Sequence, residues 1–220
     1  MRLFPIALIL TLAACSSEPA QQNRTQPAGE PVENAATPAA TPVEANRAAA
    51  QPAGEADVPD ARALTANGWG PLKIGMTKAE VTKALGGDAD PGAANGPDPE
   101  TCEQYRPERA PDGMMVMLEA GRLTRITLDS DSDIETARGI GVGDTAAAVR
   151  AAYGTALTAS PHKYVEQPGE YLTLWINGAG DGAYVESPYA RGIRFEIGKD
   201  GKVQSIHAGG PSIQYVEGCA

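Results

Sequence analysis

Ile74-Gly75-Met76-Thr77-Lys78-Ala79-Glu80-Val81-Thr82-Lys83-Ala84-Leu85-Gly86 returns, shifted by 68 positions, as Val142-Gly143-Asp144-Thr145-Ala146-Ala147-Ala148-Val149-Arg150-Ala151-Ala152-Tyr153-Gly154. The first Gly, Thr, Val, Ala and the closing Gly coincide. Each copy reads as a short helix. Thr77 and Thr145 cap its start, and Glu80 completes a capping box in the first copy. Val81/Val149, Ala84/Ala152 and Leu85/Tyr153 form the apolar stripe, and Gly86 or Gly154 supplies the stop. An internal repeat constrains the fold more than any single motif.

A second match follows each helix. Gly113–Leu118 with Gly121–Ile126 pairs with Gly192–Ile197 and Gly201–Ile206. Each pair is an alternating run, a Gly-containing turn, a basic residue and a second alternating run, which predicts a β-hairpin. Tyr171–Asn177 adds a strand to the second unit, with a weaker counterpart within residues 102–106. The expected fold class is α+β: two tandem helix-plus-hairpin units, about 68–135 and 136–220, sharing one antiparallel sheet with the helices on one face.

Residues 74–86 resemble the helix motif of outer-membrane assembly lipoproteins of the SmpA/OmlA type. The duplication is similar to the β-lactamase-inhibitory-protein architecture, in which two such units share a sheet. The assembly lipoprotein has one unit, and the second copy here has Asp144 and Ala148 where the first has Met76 and Glu80. Both families act by binding proteins, so the resemblance implies a non-enzymatic binding role.

The N-terminus carries an address. Met1-Arg2 is a basic start, Leu3–Leu12 an apolar stretch, and Leu12-Ala13-Ala14-Cys15 resembles a lipobox. The resemblance implies a signal peptide over 1–14 and acylation of Cys15, palmitate included. Several acyl chains anchor firmly, at about 0.8 kcal/mol per buried CH₂. The resemblance to bacterial lipoproteins also implies, from Ser16 and Ser17 after the cysteine, the outer membrane, with the domain expected to face the periplasm. Residues 15–60 then read as the lipidated Cys and a disordered Ala/Pro-rich tether. Between 16 and 60 there is no Leu, Ile, Met, Phe, Tyr or Trp to offset the entropy of ordering. The duplicated domain occupies 61–220.

The chain is acidic, with a formal net charge of −10 over 220 residues. Phosphate binding needs clustered Lys and Arg, so nucleic acid is excluded as a partner. The expected partner is an envelope protein, or in an alternative reading a cell-wall glycan, with the membrane reached only through the anchor. With Cys15 lipidated, Cys102 and Cys219 remain. In an oxidising compartment an even pair reads as a disulfide, with two free buried thiols as the alternative. A bridge closing so long a loop contributes about 4–5 kcal/mol in the chain-entropy model.

No cofactor or metal is expected. Asp129–Glu135 has alternating oxygens, but Ile134 and Ile140 stand where a calcium loop needs Gly and Glu. Gly139–Gly143 precedes a helix without the Lys-Ser/Thr of a phosphate loop. His207 with Ser205 suggests a hydrolase as a further alternative, yet no acid stands beside them in the sequence. The sheet carries the functional expectation. Met114, Val116, Leu118, Leu172, Leu174, Ile176, Ile193, Phe195 and Ile197 are assigned to the face under the helices. The opposite register collects Met115, Met117, Leu123, Arg125, Tyr171, Thr173, Trp175, Arg194, Glu196, Ser205 and His207. Left open to water, it is a partner-binding surface through Tyr171, Trp175, Met115, Met117, Arg125, Arg194 and His207. The alternative is that residues 178–191 or the C-terminal tail fold over it.

Overall fold

The computed structural model describes residues 62–93, 96–177 and 184–219. The stretches read as a signal peptide and a tether, with Cys15 between them, lie outside the described residues. A two-residue pair, β1 (Gly68–Trp69) and β2 (Leu72–Lys73), precedes α1 (Lys78–Leu85). Strands β3 (Cys102–Tyr105), β4 (Met114–Glu119) and β5 (Arg122–Leu128) follow, then α2 (Ala146–Tyr153). The chain continues through β6 (Leu157–Pro161), β7 (Glu170–Asn177), β8 (Arg191–Ile197) and β9 (Val203–Gly209). The fold is mixed and mostly sheet. Among the described residues two α-helices accompany nine strands in two antiparallel sheets, the larger in the order β3-β4-β5-β9-β8-β7-β6. No helix among the described residues is long and apolar enough to cross a membrane.

Both helices have eight residues, too short to persist alone, so caps and packing hold them. Thr77 N–H donates to Glu80 Oε2 at 2.8 Å and Thr77 Oγ1 accepts from Glu80 N–H, closing the expected capping box. Thr145 Oγ1 accepts from Ala148 N–H, and with no carboxylate at 148 the reciprocal bond is missing. Val81, Leu85, Val149 and Tyr153 are buried with Met114, Val116, Leu118, Leu172, Ile193, Phe195 and Ile197 in one core. The Tyr153 and Phe195 rings lie 5.3 Å apart.

The two helix-to-hairpin junctions use the same backbone bonds. Gly75 N–H donates to Leu123 O and Leu123 N–H to Met76 O, at 2.7 and 2.8 Å. Gly143 N–H donates to Val203 O and Val203 N–H to Asp144 O, both at 2.8 Å. Each hairpin also slips once. Met117 pairs with Arg125 but Leu118 with Leu123, and Glu196 pairs with Ser205 but Ile197 with Val203.

These slips correct the expected register. A bulge makes two residues oppose one, so the side chains beyond it change face. Leu123, expected beside Arg125, is instead fully buried in the helix-side core. Ile176, expected in that core, is the residue skipped between the Trp175–Gly192 and Asn177–Arg191 pairs and is 52 % exposed. Strands β1, β2 and β6 were not anticipated. β6 has no apolar alternation and four of its five residues are exposed, because it is the sheet's outer edge.

The opposite face is not open, which corrects the expected binding surface. A 3-10 turn at Pro211–Gln214 begins a tail that runs across it to Cys219. Met117, Arg125 and Tyr171 are 1 %, 3 % and 3 % exposed, and Arg194 is buried with them. Met115, Trp175 and His207 are half-buried. Gly192 leaves room for the Trp175 ring and for Ile213: a Cβ there would lie 2.6 Å from the ring. Cys102 and Cys219 form a disulfide that ties the end of the tail to β3.

Candidate functional site

The tail is held by two arginines from the middle of the sheet. Arg125 Nη1 donates to the Ser212 and Tyr215 carbonyls, each at 3.1 Å, and its Nη2 donates to Gln104 Oε1. Arg194 Nη1 donates to the carbonyls of Ile213 and Gln214, at 3.3 and 2.8 Å. A short helical turn ends in free carbonyls, and a cation there satisfies them. Burial lowers the Arg125 guanidinium to about 10, which leaves it charged at neutral pH. The Arg194 guanidinium lies 3.6 Å from the Tyr171 ring centre, and the His162 ring stacks on the same tyrosine at 4.6 Å. Arg125 Nε, Arg194 Nε and Ser212 Oγ are buried without a hydrogen-bonding partner among the described residues. Leaving such groups unpaired costs stability, so this layer is expensive as well as specific.

Beside the arginines, one carboxylate gathers the polar side chains. Glu196 Oε1 lies 2.9 Å from His162 Nε2, and Glu196 Oε2 accepts from Ser205 Oγ at 3.1 Å. His207 Nε2 lies 3.6 Å from Glu196 Oε2 and 3.2 Å from Ser205 Oγ, while its Nδ1 faces Thr127 Oγ1 at 3.0 Å. Hydrogen bonding from His207, then from His162 and Ser205, holds the Glu196 carboxyl at about 2 against the cost of burial. Burial above all pushes the His207 imidazole down to about 4. At neutral pH the site is therefore an anionic glutamate beside a neutral His207, and the coupled pair shares its titration.

No acid stands beside Ser205 and His207 in the sequence, but strand pairing supplies one in space. Pairing of β8 with β9 sets Glu196 opposite Ser205, with His207 on the same face. The wiring differs from a nucleophilic triad, where the acid holds the histidine nitrogen remote from the serine. Here the acid lies on the serine side, and the remote nitrogen meets the neutral Thr127 hydroxyl. The Ser205 proton is directed to Glu196, whose depressed pKa makes it a weak base.

The remaining candidate motifs are used internally. Asp129 pairs with Arg106, and Ile134 is buried. The N–H groups of Gly139, Gly141 and Gly143 donate to Thr136 O, Asp144 Oδ2 and Val203 O, which leaves none of these three for an anion. Among the described residues no group of three His, Cys, Asp or Glu is placed to hold a metal ion. A cleft of about 400 Å³ lies where the tail meets β3 and β4, lined by Asp98, Thr101, Glu119, Tyr215 and the disulfide. The apolar content outside the core is concentrated in tyrosines: Tyr164, Tyr184 and Tyr189 are 62 %, 52 % and 79 % exposed. Comparison with family models, curated proteins and solved structures yields no match.

Sequence reasoning placed Arg125, Arg194 and His207 on one face, and the structure brings them together there. His162, Thr127 and Gln104 join the layer without having been expected there, and the cover is the C-terminal tail, which the sequence offered as the alternative to an open face. The legible signal was the Glu196–Ser205 pairing, which follows from the hairpin register once the bulge is allowed.

Proposed function

We propose that this chain is a lipid-anchored cell-envelope protein that binds another envelope protein and does no catalysis. In this reading Cys15 carries the acyl chains and residues 16–60 act as the tether. The domain is a tandem pair of helix-plus-hairpin units related to the SmpA/OmlA and β-lactamase-inhibitory-protein architectures, in the outer membrane and facing the periplasm. The identical junction bonds at Leu123 and Val203, with a bulge in each hairpin, support the duplication.

The binding role moves from the sheet face, which the tail occupies, to the loops around it. The observation that carries it is the exposure of Tyr164, Tyr184 and Tyr189 in a domain whose other aromatic rings are at least half-buried. Tyrosine presents a large, rigid, amphipathic surface and is enriched at interface hot spots. Tyr184 and Tyr189 lie in the Gly-rich connection between β7 and β8.

The test is affinity capture from detergent-solubilised envelopes, with mass spectrometry of the retained species and of the mature N-terminus. The Tyr184→Ser/Tyr189→Ser variant is expected to stay folded and to lose the retained protein by about tenfold or more. Acylation is expected at Cys15, and Cys15→Ser leaves an uncleaved or mislocalised precursor. Equal capture by both proteins sinks the tyrosine surface. An unmodified N-terminus sinks the anchor.

A further inference from the structure

The turn between β6 and β7 fixes a histidine in a state that takes up a proton only if the turn gives way. His162 is almost enclosed, with a side chain 5 % exposed. Its Nδ1 lies 3.0 Å from the Tyr164 N–H and 3.1 Å from the Val165 N–H. A backbone N–H only donates, so Nδ1 presents its lone pair to both. The ring proton therefore sits on Nε2 and is given to Glu196 Oε1 at 2.9 Å. A second proton has one place to go. On Nδ1 it would point at two N–H groups, so both bonds must break.

The same turn reaches the tail. Lys163 Nζ pairs with Glu217 Oε1 at 3.2 Å, and Tyr164 Oη donates to the same carboxylate. Lys163 N–H also faces Tyr171 Oη at 3.4 Å. One element thus closes on the His162 ring from inside the molecule and on the tail from outside.

We propose that His162 is an acid-operated clasp: on taking up a proton from solvent it stays on Glu196, and the turn at 163–165 lets go of both Nδ1 and Glu217. Opposing influences decide which contact breaks. The Glu196 carboxylate from β8 attracts the imidazolium, and their bond, already made to an anion, becomes an ion pair. Arg194, over the same Tyr171 ring, and Lys163 on the turn itself repel it. Ser205 and His207 from β9 hold Glu196 in place, so the carboxylate cannot follow the turn outward. The two backbone bonds have no such gain and are the ones lost. The Cys102–Cys219 disulfide and the carbonyls held by Arg125 and Arg194 keep the tail attached, so the opening is confined to the margin around Tyr164, Val216 and Glu217. This inference stands whether or not the chain is anchored to a membrane.

The experiment is NMR on the ¹⁵N-labelled full-length chain in detergent micelles, from about pH 8 to about pH 5. Near the upper limit the His162 ring nitrogens should report a bare Nδ1. As the pH is lowered, the exchange protection of the Tyr164 and Val165 amides should fall, by up to about tenfold per pH unit until the turn is open, while that of Phe195 holds. Glu217→Gln should leave the acid response of the Tyr164 and Val165 amides intact and abolish that of the Val216 amide. A proton on Nδ1 at neutral pH overturns the proposal. So does unchanged protection of Tyr164 and Val165 through the titration, or a His162 that stays neutral down to acid unfolding. These readouts need only the unmodified protein, so a variant that fails to fold does not rescue the idea.

Discussion

The two faces of the seven-stranded sheet are built on opposite principles. Under the helices, Met114, Val116, Leu118, Ile193, Phe195 and Ile197 alternate along their strands and vanish into one apolar core. Under the tail, Arg125, Arg194, Glu196 and His207 are bonded one by one, each to a named partner. The first face is stabilised by removing area from water and tolerates shape-preserving changes. The second depends on geometry, because each lost partner strands a buried polar group. Residues enriched in protein interfaces mark the second face, and the interface is made with the chain's own C-terminus.

The contrast is open to breakage, starting with the largest effect. Phe195→Ala empties the centre of the apolar face and should cost about 3–5 kcal/mol in urea unfolding. A loss near 1 kcal/mol would mean that the helix face repacks freely. Removing the disulfide with Cys102→Ser/Cys219→Ser should cost about 2–5 kcal/mol, and the added hydrogen exchange should centre on the tail. If protection falls first in the helices, the tail is not the element that the bridge secures.

The smallest effect is the most diagnostic. His207 is pushed from 6.5 to about 4, so the unfolded chain protonates first. Its contribution is complete above pH 6.5 and is lost as pH falls towards about 4. Glu196 is lowered from 4.5 to about 2, and its contribution goes as pH falls between those values. Urea midpoints measured across this range should fall with acid, and Glu196→Gln should remove most of the decline at the lower end. Phe195→Ala should lower the whole curve and keep its slope. A flat profile between pH 6.5 and 4 would show that the polar face does not sense protons.

The helices and both hairpins were legible because each carries its own punctuation: a capping threonine, an alternating run, a turn glycine. Leu123 and Ile176 were misassigned because a bulge adds one residue without changing composition, and alternation beyond it reads correctly on the wrong face. The tail stood only as an alternative cover, for a different reason. Pro211–Gln214 has no periodicity, and its position is set by guanidinium groups contacting its carbonyls from strands far away in sequence. Glu196 was visible as a residue of the face, but its partner His162 comes from a turn, where no register predicts direction.

The outer edge of the sheet has a consequence for how copies of the chain behave at high local density. His162 N–H bonds Gly169 O across the β6–β7 hairpin, so by alternation Leu157, Ala159 and Pro161 turn their backbone groups outward. Pro161 has no N–H to offer, and that of Leu157 is already given to Gly154 O. Only Ala159 retains a free outward donor. A neighbouring strand arriving there finds one N–H donor instead of three, beside the outward carbonyls. At this edge the donor-poor backbone disfavours strand addition between crowded copies.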